Sequence, residues 1–407
     1  MTGAVAGRNE PVEFDPYSTT FFDSPYEMYR RLRDETPVYN SEKYGFWALS
    51  RYDDVVEAHK DWKTFSSGHG VELSSLLTDP ATTSTYPILI TMDPPEHDRM
   101  RSLVSRVFTP RAVQALEPLV REVITGLADD LAERDAFDAV QDFSGPFPAE
   151  IISRILGVPP EDRQQIRYWL DDILHREPGD LALTQAGRDA GLAAGMYFYD
   201  LVARKRRAPA DDMLSRLTTV EVDRGDESST RLGDAEIAGF AMLLGGAGAE
   251  TVTKLVGNAF VLFARNPDQY AMVVSHPEQI PNAIEEILRY WPPSRYQGRY
   301  STVDVNRHGR TIPAHRPVLL VTGAATRDER QFANPDTFDV DRPTSHALGF
   351  GIGVHSCLGA ALARLESRIA VEEMVRRWPQ FGIDENGLRR VHMANVAGYS
   401  NVPVQAG

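Results

Sequence analysis

One cysteine, Cys357, is present in 407 residues. A single thiol excludes an internal disulfide, and by itself it cannot ligate an iron–sulfur cluster or build a cysteine-rich zinc site. Two uses remain: a small buried hydrophobe or the one axial thiolate of a haem iron. Long apolar runs are missing too. No stretch reaches roughly 18 apolar residues, so no segment reads as a membrane helix. Met1 to Tyr17 contains only the short apolar Gly3-Ala4-Val5-Ala6-Gly7, too little for a signal-peptide core. The sequence therefore reads as cytoplasmic and unanchored, in a compartment that keeps a free thiol reduced. Positive charge is in deficit: 43 Lys and Arg stand against 58 Asp and Glu, for a net charge of -15. That excludes nucleic-acid binding as the main activity, although a local basic patch stays compatible with it. Repeats, low-complexity tracts and linkers are absent, and Ser66 to Thr91 contains no Lys or Arg.

The remaining composition, 42% hydrophobic and 25% charged, is that of a globular chain long enough to enclose a cofactor. Residues 18–65 mix a helix, Tyr26 to Thr36, with strand-like pieces such as Phe46-Trp47-Ala48-Leu49. Residues 97–290 are helical in period, as Val113, Leu116, Leu119, Val120, Val123 and Ile124 illustrate. Short β-like runs, including Val318-Leu319-Leu320-Val321, fill 300–343, and a helix spans Leu358 to Trp378. The expected fold is mainly α with a minor β region. It forms one domain, with a β-containing lobe (18–65, 300–343 and C-terminal 380–404) and a helical lobe (97–290 and 358–378). Two segments stand apart as functional candidates: the lipophilic Ser66–Thr91 stretch, and Arg176 to Asp180, punctuated by Pro178-Gly179.

Four patterns carry chemistry. Cys357 lies in Phe350-Gly351-Ile352-Gly353-Val354-His355-Ser356-Cys357-Leu358-Gly359. Gly351, Gly353 and Gly359 allow a backbone to approach a flat macrocycle. Gly245-Gly246-Ala247-Gly248-Ala249-Glu250-Thr251 sits inside an apolar helical run from Asp234, the expected N-cap, to Phe263. Each mid-helix glycine costs about 1 kcal/mol relative to alanine, so three in four residues need a reason. Close helix packing is one; a thinned face against a cofactor is the other. Glu250-Thr251 supplies an acid and a hydroxyl suited to proton delivery. Glu286-Ile287-Leu288-Arg289 pairs opposite charges on one helix face, and His97 and Arg101 share a face at i,i+4.

Together, and in this order along the chain, these patterns resemble the cytochrome P450 family from about Asp15 to Val404. The resemblance implies a P450 fold with haem b between the long central helix and the helix after the cysteine. Cys357 is then the axial iron ligand, with Phe350 and Gly351 beside it. Ala247 and Gly248 lie against the haem. His97, Arg101, Arg299 and His355 hold the propionates. Glu250 and Thr251 deliver protons to bound O2, with Glu where many members have Asp. Glu286, Arg289 and Arg342 form a structural ion network. Thr326 stands where many members carry Asn, at a position without chemistry. The implied activity is a monooxygenase that inserts one atom of O2 into a C–H bond of a small, lipophilic molecule. A haem-thiolate sensor or a peroxygenase would not need the Glu250–Thr251 pair.

No flavin or iron–sulfur domain is recognised, so electrons are expected from a separate ferredoxin or flavodoxin-type partner. Arg99, Arg106, Arg111 and Arg364 are the expected basic docking face for an acidic donor. The protein is expected to work as a monomer, without nucleic-acid or membrane partners. The resemblance places the substrate pocket at Leu73, Leu76, Leu77, Ile88, Leu89, Leu243, Ala247, Ser294, Arg295, Tyr296, Val396 and Ala397. The lack of Lys or Arg in the Ser66–Thr91 segment favours a neutral substrate, with Arg295 as the one cation able to reverse that preference. A steroid, terpenoid, fatty chain, aromatic or macrolide, free or carrier-bound, is compatible.

Overall fold

Apolar periodicity over more than two-thirds of the chain demands helix-on-helix packing, and the computed structural model shows it. It describes residues 11–78, 88–223 and 229–406. The helices that position the site are α1 (Glu96–Ser105), α2 (Pro146–Leu156), α3 (Arg163–Leu174), α4 (Gln185–Arg207), α5 (Asp234–Arg265), α6 (Ile280–Tyr290) and α7 (Ala360–Arg377).

The central helix α5 has 32 residues, so it is roughly 48 Å long. It packs against α2, α3, α4, α6 and α7. Its second half, from Val252 to Phe263, is buried on every side, as a helix that is apolar all round must be. Gly233, not Asp234, is the N-cap; the Glu236 carboxylate accepts the Gly233 N–H at 2.8 Å. A carboxylate reaching back from the third helical position outcompetes Asp234 for that role.

The minor β region is a five-stranded sheet. Its strands are β1 (Val38–Ser41), β2 (Phe46–Leu49), β3 (Phe65–Ser66), β4 (Gln297–Ser301) and β5 (Pro317–Leu320), in the order β1-β2-β5-β4-β3. Only β2 and β5 run parallel, with Leu319 opposite Ala48. Both faces are covered, which explains the unbroken apolar run of β5. Leu319 joins the core of Phe14, Tyr17, Phe21, Phe22, Tyr29, Phe46 and Tyr296. Val318 and Leu320 join Val38, Leu49, Val55 and Phe65 on the other face.

The C-terminal strands depart from the sequence expectation. Phe381–Ile383 pairs with Pro403–Ala406, which pairs with Ala136–Asp138 of the helical part rather than with the five-stranded sheet. Trp378, at the end of α7, stacks among Phe137, Phe143 and Phe260 and carries the chain to that side.

The ion network is fully buried. Arg289 forks onto Glu286 with two bonds of 2.7 Å, and Arg342 Nε reaches the same carboxylate at 3.2 Å. Remaining guanidinium protons go to the carbonyls of Thr326, Pro335, Ala333 and Asn334. Glu286 and Arg289 are both 0% exposed. Removing one partner of such a pair costs about 3–5 kcal/mol, because the other charge stays buried.

Candidate active site

The loop before α7 presents the only thiol. Gly351 and Gly353 turn the chain with φ of 63° and 78°, in the left-handed region. Gly353 also abuts other backbone: a β-carbon there would lie 2.5 Å from the His59 carbonyl oxygen. The loop closes when the Cys357 N–H donates to the Phe350 carbonyl at 2.8 Å. Arg101 Nη2 donates to the Ser356 carbonyl at 2.7 Å, tying α1 to the loop. Arg364 lies over the Phe350 ring at 4.4 Å and is paired with Glu285. Cys357 keeps an exposed surface. Protein packed around it pushes the thiol pKa up, against the opposing pull of the Gly359 N–H, Arg101 and Arg364. A thiolate there needs more positive charge than the protein supplies, and a coordinated iron provides it.

Beside the cysteine loop sits a cluster of donors. The His97 and His355 rings are 4.3 Å apart, and the Nε2 atoms of both are buried with no protein partner. Burial lowers His355 to about 3, helped by Arg299, His97 and Arg101. Burial also lowers Arg299 to about 10, with Asp93 opposing. Arg101 is likewise lowered by burial. Two arginines and two imidazoles crowd one place with two orphaned ring nitrogens. That donor set fits a group carrying two carboxylates on a planar body, which is what haem b presents.

Across from the loop, α5 shows one accessible strip. Ala247 is exposed, and Leu243 and Thr251, one turn to either side, are half-buried; Leu244, Gly245, Ala249, Glu250 and Val252 are buried. Thr251 Oγ1 donates to the Ala247 carbonyl at 3.0 Å. The three glycines do not belong to this strip. A β-carbon at Gly246 would meet Leu170 at 2.9 Å, at Gly248 Ile152 at 3.2 Å, and at Gly245 Ile166 at 3.5 Å. They let α2 and α3 approach α5 closely. The expectation that Gly248 lies against the cofactor is therefore corrected: Ala247 faces the open strip and Gly248 faces α2.

Glu250 has company that the sequence reading missed. It is 2% exposed and ion-paired with Lys254, one turn on and 3% exposed. Asp171 of α3 hydrogen-bonds to it from the side. The i,i+4 spacing of Glu250 and Lys254 was a usable signal. Nothing local to Asp171 was.

The substrate-pocket residues divide. Ile88 and Leu89 line a cavity of about 60 Å³ with Met92, Met100, Gly239 and Phe240, against the first half of α5. Leu243 and Ala247 lie on the open strip, and Leu77 is 40% exposed. Leu73, Leu76 and Tyr296 are buried in the N-terminal core. Val396 and Ala397 are buried at 8% and 7%, and Ser294 bridges to Val396. Arg295 is directed away as well. It donates to the carbonyls of Phe21 and Phe22 and lies over the Phe21 ring, so its charge is engaged by the N-terminal segment. Residues 79–87 and the Arg106 side chain lie outside the described residues. Among the described residues, no helix is long and apolar enough to cross a membrane.

Comparison with known proteins agrees with this geometry. The family model described as Cytochrome P450 matches residues 197–384. Cytochrome P450 130 of Mycobacterium tuberculosis is 37% identical over 381 residues, covering 92% of this chain and 93% of that one. Vitamin D(3) 25-hydroxylase of Pseudonocardia autotrophica is 36% identical over 411 residues, 97% of each chain. CYP109E1 from Bacillus megaterium, crystallised in complex with testosterone, superposes with a TM-score of 0.85 at 31% identity, over 94% of this chain and 98% of that one. Relatedness at this level over nearly the full length of both partners is not a matter of fold alone. The chain belongs to the cytochrome P450 family: it is a monooxygenase that acts on small molecules and uses thiolate-ligated haem and O2.

Proposed function

We propose that Cys357 is the axial haem ligand, that His97, Arg101, Arg299 and His355 hold the propionates, and that Glu250 and Thr251 move protons to the oxygen-binding side. The observation that carries this is the donor cluster with orphaned His97 and His355 nitrogens beside the only cysteine loop. The bound haem supplies O2 activation and insertion of one oxygen atom into a C–H bond. The protein supplies position and protons. Phe350, held under Arg364, shields one side of the Cys357 loop. The Thr251 hydroxyl donates to Ala247 and keeps its lone pairs on the open strip, where it accepts a proton and passes one on. Glu250, buried behind it, is the acid that restores that proton.

The substrate is a small, neutral, lipophilic molecule of about steroid size. Three observations support this. The Ser66–Thr91 segment contains no Lys or Arg. Arg295 is engaged by backbone carbonyls rather than free to pair with a carboxylate. Relatives include a vitamin D(3) hydroxylase and a testosterone-bound P450. The chain works as one domain and as a monomer in the cytoplasm, with a separate ferredoxin or flavodoxin-type donor. Arg111 is exposed and suited to meet an acidic donor, whereas Arg364 is neutralised by Glu285.

One experiment tests the reading. Product formed per electron consumed is measured for the wild type and Thr251→Ala, with ferredoxin and with flavodoxin as donor. Thr251→Ala should lower coupling by about tenfold or more while electron consumption continues. Undiminished coupling removes Thr251 from the proton path, and turnover with neither donor removes the partner assignment.

A further inference from the structure

The Glu250 carboxyl is one corner of a buried triad. Lys254 closes on it from the next turn of α5, and Asp171 meets it from α3. Asp171 Oδ1 and Glu250 Oε1 are both buried, and neither has a hydrogen-bond partner other than its neighbour carboxyl; Lys254 reaches Glu250 as an ion pair. Two carboxyls in contact do not both ionise readily, because each raises the other's pKa. One ammonium offsets one of them. The second oxygen–oxygen contact requires a proton.

The surrounding charges do not supply a substitute. From α5 the groups facing Asp171 are Glu250 and Lys254, and from its own helix Arg167, whose Nη2 is engaged by Gln141 at 2.7 Å. Glu150 of α2 is paired with Arg154 and Arg163. Toward α3, α4 presents Gly187 and Gly191. Burial and Glu250 accordingly raise Asp171 to about 7. The residue is only half-buried as a whole, so its carboxyl stands between solvent and the buried Glu250.

We propose that Asp171 is a positioning residue that acts through Glu250: the two carboxyls share one proton, and Asp171 reloads Glu250 from the solvent side. When Glu250 releases a proton toward Thr251, the Asp171 carboxylic O–H passes its proton to the Glu250 carboxylate. Asp171 is then a carboxylate and takes a proton from water, while Lys254 remains an ammonium throughout. This rests on the reading of Glu250 as the acid behind Thr251.

The test has two readouts on the haem-loaded protein. Infrared spectroscopy with carbon-13-labelled aspartate should show a carboxylic-acid C=O band that titrates with a midpoint near 7 and is missing in Asp171→Asn. Coupling should fall in the wild type as pH rises through that midpoint. In Asp171→Asn it should be lower by roughly tenfold and flat across the same range. Asp171→Glu should restore both the level and the pH dependence. A structural role alone would leave the pH profile of Asp171→Asn unchanged. An aspartate ionised from pH 5 to 9, or that unchanged profile, overturns the proposal. If Thr251→Ala uncouples and Asp171→Asn does not, only this inference falls. If Thr251→Ala stays coupled, the reading of the Glu250–Thr251 pair falls, whatever the band does.

Discussion

Lys254 stands one helical turn after Glu250, and that spacing alone puts both on one face of α5. The sequence thus contained half of the buried triad. The other half, Asp171, comes from a separate helix and leaves no local pattern. The same contrast runs through the site. Cys357, His97, Arg101 and His355 were legible because each sits in a short ordered pattern. Arg295 was misleading, since its composition says cation and only the tertiary packing reveals two backbone acceptors. Asp171 also sets a prediction for stability. Its folded pKa of about 7 lies above the value of about 4 expected in the unfolded chain. Between those values the native state holds a proton that the unfolded state has released, so the contribution of Asp171 is full below about pH 4 and lost as pH rises through 7. Asp171→Asn has no proton to lose. Its melting temperature relative to wild type should therefore rise between pH 5 and pH 8; a gap independent of pH would show that Asp171 titrates normally.

At the scale of elements, the glycines of α5 and of the cysteine loop have different work. Those of α5 make room for Ile152, Leu170 and Ile166 on neighbouring helices. A cluster of glycines in a helix signals close approach, but not which partner approaches, and here the partners are α2 and α3. Gly353 answers two demands at once, a left-handed φ of 78° and a backbone neighbour 2.5 Å from any β-carbon. Gly353→Ala should destabilise the protein by about 2–4 kcal/mol in chemical denaturation, from the left-handed penalty and overpacking combined. It should also loosen haem, because the Phe350–Cys357 turn closes around it. Wild-type stability and haem retention would show that the loop tolerates the side chain. Strands were legible in type but not in pairing. The run Val318 to Val321 announced a buried strand, yet only tertiary structure shows the C-terminal strands joining Ala136–Asp138. Pairing joins residues far apart in sequence, and no local signal encodes that choice.

Over the whole molecule, a net charge of -15 surrounds a site that gathers Arg101, Arg299, His97 and His355. Those groups lose solvation on burial, which lowers the arginines and His355 below their ordinary values. Holding them together without carboxylates beside the two imidazoles is costly unless an anion joins them. The fold provides the frame through α5, α7 and the Glu286–Arg289–Arg342 network. The open strip of Ala247 and Thr251 stands opposite the only thiol in the chain. The central claim, that Cys357 is the ligand of a haem used to activate O2, is tested most directly by the carbon-monoxide difference spectrum of the reduced protein. The wild type should show the red-shifted Soret band of a thiolate-ligated ferrous haem, and Cys357→Ala should lose it. A wild-type spectrum of the histidine-ligated kind, or a thiolate-type band surviving in Cys357→Ala, would contradict the account.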